Sequence, residues 1–72
     1  MTHEEFLTEM QDVLQTDDLL TFETILEDLE EWDSLAVMST MAFLDSTFGI
    51  KTNMADYGSM KTIGDIASKA GV

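Results

Sequence analysis

The chain has 72 residues, with 15 acids against three basic residues, a net charge of −12, one histidine and no cysteine. That length permits one domain with a small core, burying about 60% of the surface an unfolded chain of this size exposes. The charge argues against nucleic acid and anionic membranes as partners, since both need clustered cations. The missing cysteines exclude a disulfide framework, a zinc knuckle and a thiol nucleophile. A hydrophobic content of 44% suits a globule rather than a disordered tail. No apolar run approaches the roughly 20 residues that span a bilayer, so no membrane insertion is expected. A start at Met1 with no basic-then-apolar leader is read as a free-standing, monomeric, cytoplasmic protein.

The periodicity predicts an all-α fold, a small bundle of three to four helices occupying residues 1–72 as one domain. Thr2 and Glu5 form a capping-box pattern, and Phe6, Met10, Val13 and Leu14 follow it on one helix face. This helix should fade near Gln15-Thr16. Residues 16–33 form a long, acidic connection between helices 1 and 2. Leu19, Leu20, Phe22, Ile25, Leu26 and Leu29 make it too apolar for a free linker, so it is expected to pack down with one short helical turn.

A second long helix is predicted from about Ser34 to Phe48. Val37, Met41, Leu44 and Phe48 form a stripe expected in the core, and Leu35, Met38 and Ala42 form a second stripe beside it. The second stripe is either further core or an exposed docking surface. Gly49 suits the left-handed position that ends a helix. A short turn is predicted over 53–58 around Met54 and Tyr57. Thr62 and Asp65 repeat the capping pattern ahead of Ile63, Ile66, Ala67 and Ala70, with Gly71 beyond.

Catalytic readings find little support. His3 is the lone histidine and sits in the first turn of a terminal helix. A Ser-His-Asp site would leave little protein for an oxyanion hole. Exposed carboxylates stay ionised and do not divide into acid and base. No EF-hand spacing or glycine-rich phosphate loop occurs. No specific metal site is expected, although Glu27, Asp28, Glu30 and Glu31 could gather a divalent cation loosely. The chain is therefore read as no enzyme, and Ser34 becomes the residue of interest. At a helix start its hydroxyl either caps the helix or receives a phosphate-linked group, an anion favoured by unpaired N–H groups and the helix dipole.

Asp33-Ser34-Leu35 at the start of the second helix resembles the attachment motif of the acyl carrier protein family, which includes peptidyl carrier domains. Leu26-Glu27-Asp28-Leu29 and Trp32 upstream, and Leu44, Phe48-Gly49-Ile50 and Thr62-Ile63-Gly64-Asp65 downstream, extend the resemblance over essentially the whole chain. The resemblance implies that Ser34 carries 4′-phosphopantetheine, taken from coenzyme A by a separate Mg²⁺-dependent phosphopantetheinyl transferase. The arm would hold acyl or aminoacyl groups as thioesters, for fatty-acid, polyketide, nonribosomal-peptide or related biosynthesis. Asp33, Leu35, Met38 and Ala42 would then dock loading and transfer enzymes that carry basic patches. With Ala36, Val37, Ser39 and Thr40 where housekeeping fatty-acid carriers place more acids, a specialised member is expected. The alternative is an acidic helical interaction module in which Ser34 is only a cap.

Overall fold

Each helix begins where a polar side chain can take the first free N–H groups. In the computed structural model, which describes residues 1–72, α1 spans His3–Leu14, α2 Ser34–Phe48, α3 Met54–Gly58 and α4 Ile63–Ala70. The Thr2 hydroxyl accepts from the Glu5 N–H at 3.1 Å, and Glu5 Oε1 accepts from the Thr2 N–H at 3.0 Å. Asn53 with Asp56 and Thr62 with Asp65 make the same reciprocal boxes at α3 and α4. Three backbone turns have positive φ: Gln15 at 52°, Gly49 at 69° and Gly71 at 79°, ending α1, α2 and α4. Two of these are the glycines expected there, and Gln15 adopts the strained conformation with a side chain.

The core is built around Phe6. Its ring lies 6.3 Å from Phe22, 6.0 Å from Phe43 and 6.3 Å from Phe48, and Phe43 meets Phe48 edge-on at 5.7 Å. Met10, Leu26, Leu44, Ile63 and Ile66 are fully buried around this cluster. Each such side chain contributes on the order of 1.5–3 kcal/mol relative to exposure.

The buried face of α2 differs from the predicted stripe. It comprises Ala36, Val37, Thr40, Phe43 and Leu44, while Met41 and Phe48 are only half-buried. The face is rotated because Phe43 packs on Phe6 of α1. Thr40 is fully enclosed, and its hydroxyl donates to the Ala36 carbonyl at 2.9 Å, which satisfies the buried oxygen locally.

The long connection packs down, with a 3₁₀ turn over Leu26–Asp28. Leu20, Leu26 and Leu29 are buried and Phe22 is half-buried. Leu19 and Ile25 depart from the expectation, at 87% and 42% exposed. The connection is held at its middle by the segment ahead of α4. The Leu26 N–H donates to the Lys61 carbonyl at 2.9 Å, Ile63 to Thr24 at 3.1 Å and Gly64 to Phe22 at 2.9 Å. Ile25 and Thr62 form an isolated antiparallel bridge. Extended pairing leaves Ile25 on the outer side of this seam. A Cβ at Gly64 would lie 2.9 Å from the Phe22 carbonyl oxygen, so the close approach requires glycine.

Candidate functional site

The seam fixes the path into α2. Beyond the 3₁₀ turn, the Leu29 N–H donates to Leu26 and the Trp32 N–H to Leu29, at 3.0 and 3.1 Å. The Trp32 ring is half-buried and lies 6.3 Å from Tyr57 of α3. Burial pushes the Tyr57 hydroxyl above its ordinary pKa, opposed by its 2.9 Å hydrogen bond with Thr52. These contacts anchor the chain one residue ahead of Asp33.

Asp33, not Ser34, caps α2. Its Oδ1 accepts from the Ala36 N–H at 2.9 Å, and its extended backbone (φ −136°) marks it as the residue outside the helix. Ser34 is the first helical residue, exposed, with its hydroxyl outside the capping bond. The reading of Ser34 as the cap is therefore corrected. A side chain one residue earlier reaches the third helical N–H, whereas Ser34 is already inside the helix. The N–H groups of Ser34 and Leu35 make no backbone hydrogen bond, and no acid lies in the first turn. They stand at the positive end of the helix dipole beside an exposed hydroxyl.

Along the same helix Leu35 is 70% exposed, Met38 57% exposed, and Ala42 exposed. The second stripe is thus surface and not core. All three lysines follow Phe48, so nothing basic in the chain lies between His3 and Lys51. Lys51 pairs with Asp45 at 3.3 Å across an exposed surface, an interaction of small energetic weight.

No group of three or more carboxylate or histidine side chains is arranged to hold a metal ion, so Glu27, Asp28, Glu30 and Glu31 form no shared cage. The His3 ring lies 4.5 Å from that of Phe22, tilted by 43°. Two features of the site were not anticipated from sequence. One is a groove of about 350 Å³ between the end of α1 and the start of α2, whose walls include both sequence neighbours of Ser34. The other is Glu31 Oε1, the one buried side-chain oxygen or nitrogen without a hydrogen-bond partner. Neither carries a sequence signal, because both arise where separate segments meet.

No family model matches the chain, and the comparison with curated proteins gives no match. The fold matches the solution NMR structure of a holo acyl carrier protein from Geobacter metallireducens with a TM-score of 0.76 and 27% sequence identity. The match covers 97% of this chain and 82% of that one. The likeness runs along almost the whole sequence, and the four-helix chain has the fold of an acyl carrier protein.

Proposed function

We propose that this protein is a carrier, with Ser34 as the attachment point for 4′-phosphopantetheine. The observation that carries the reading is the start of α2: an exposed hydroxyl, two adjacent free N–H groups and a first turn without acids. These residues fit the group. A phosphodiester on Ser34 Oγ would sit beside the N–H groups of Ser34 and Leu35, which donate to anions, and the neutral first turn adds no repulsion of its own. Asp33 keeps the helix capped while Ser34 reacts, so modification does not cost the fold its cap.

Ser34 Oγ is the nucleophile toward coenzyme A, within a separate phosphopantetheinyl transferase. When bound, the arm supplies a terminal thiol, absent from this cysteine-free chain, that holds acyl or aminoacyl cargo as a thioester. The protein then raises the local concentration of tethered cargo at successive enzymes and performs no chemistry itself. Leu35, Met38 and Ala42 supply an apolar contact and Asp33 a charge beside it. The lysine-free sequence through Phe48 favours partners with basic rims, through both steering and register. A surface with one acid in the 15 residues of α2 suits a dedicated set of biosynthetic partners.

Intact mass after incubation with coenzyme A and a broad-specificity transferase tests the reading. Wild type should gain one phosphopantetheine and Ser34→Ala none. Identical spectra for the two proteins would refute it.

A further inference from the structure

The groove beside Ser34 and the unpartnered oxygen of Glu31 belong to one place. Val13, Leu14 and Gln15 line it at the end of α1, Leu35, Ala36 and Ser39 on α2, and Glu31 and Asp33 from the segment leading into α2. The volume of about 350 Å³ lies at the lower end of the range for small-molecule sites, which begins near 300 Å³. Its lining is half apolar and half polar residues. Glu31 is half-buried, and its Oε1 is shielded from water with nothing donating to it. Buried polar atoms are paired in the great majority of cases, and an unpaired one carries a desolvation cost. The Glu31 side chain also lines the groove.

We infer that the groove between α1 and α2 is a resting site for the phosphopantetheine arm, with Glu31 accepting a hydrogen bond from an arm amide. This rests on Ser34 being the attachment point. An arm leaving Ser34 starts between Asp33 and Leu35, both of which border the groove. Its geminal methyls and methylenes match Val13, Leu14 and Leu35. Its amide N–H groups match the unpaired Glu31 acceptor, and its carbonyls match donors from Gln15 and Ser39. The exposed stripe residues Met38 and Ala42 lie outside the groove's lining, so they stay free for partners while the arm lies on the α1 side. Docking at that stripe and stowing of the arm are then compatible in one molecule.

The test uses isotope-labelled holo protein with an unlabelled arm, after the mass gain has been verified. Filtered nuclear Overhauser contacts should connect the arm's geminal methyls with the methyls of Val13 and Leu14. In holo Glu31→Ala these contacts should fall several-fold, and holo Glu30→Ala, altered at an exposed neighbour outside the groove, should retain them. Arm contacts confined to Met38, Ala42 and α3, or absent altogether in a protein of verified holo mass, would overturn the inference and leave the carrier reading standing. Contacts unchanged in Glu31→Ala would overturn the part assigned to Glu31. Failure of wild type to gain the arm would overturn both readings at the earlier step.

Discussion

Three of the four helices begin alike and α2 does not. At α1, α3 and α4 a hydroxyl or amide caps the helix, and an acid two residues into it, counted from the first helical residue, reaches back to the cap. At α2 Asp33 caps alone, because the returning position is Ala36, buried against the core. The reciprocal boxes place a carboxylate on the positive helix end. Backbone hydrogen bonds hold the Glu5 carboxyl, through Thr2, and the Asp65 carboxyl, through Lys61 and Thr62, below their ordinary pKa values. At α2 the one carboxylate on that end is the cap itself, Asp33, and the first turn beyond it, where Ser34 stands, holds no acid. The difference leaves no carboxylate inside the first turn of the one helix that a phosphate would join.

The contrast is sharpened most by Ser34→Ala, which should abolish phosphopantetheine attachment while leaving the thermal midpoint unchanged, since the cap lies on Asp33. A large drop in midpoint would return the capping role to Ser34. Next, Asp33→Ala should cost about 1 kcal/mol in denaturant unfolding. Thr62→Ala should cost a similar amount, because each removes one cap oxygen. Leu35→Glu breaks the contrast by placing an acid in the first turn of α2. It should stabilise the helix by about 0.3–1 kcal/mol and slow transfer of the arm to Ser34, read by mass against time.

The smallest effect is the pH dependence. Glu5 and Asp65 have folded-state pKa values below those of the unfolded chain, so their contribution is full above the ordinary carboxylate range. It is lost as pH falls through the lower folded-state values. Tm followed against pH should show a shallower acid limb in a Glu5→Gln/Asp65→Asn double variant than in wild type. Relief of repulsion in a chain of net charge −12 works in the opposite direction on acidification, and this comparison at matched pH removes most of it.

Much of the fold was legible because its signals are local. Thr2/Glu5 and Thr62/Asp65 lie three residues apart, and both boxes form. Gly49 and Gly71 end helices as a residue free to take positive φ should. The face of α2 was harder, because apolar residues nearly encircle it and periodicity alone does not choose a side. Phe6 chooses, by receiving Phe43 and leaving Met38 outside. Leu19 and Ile25 are exposed against expectation for a related reason. In a connection without helical period, burial depends on the partner strand of backbone, here residues 61–64.

The sequence by itself determined the helices, their ends and the serine at the head of α2, since caps, glycines and 3.6-residue periodicity act over a few residues. Tertiary structure alone decided which stripe of α2 is exposed and how the connection is pinned to the approach to α4. It also decided that the Glu31 oxygen and the groove lie beside Ser34. Those features depend on contacts between residues far apart in the chain, where packing and the pairing of buried polar groups set the geometry and no local pattern records the outcome.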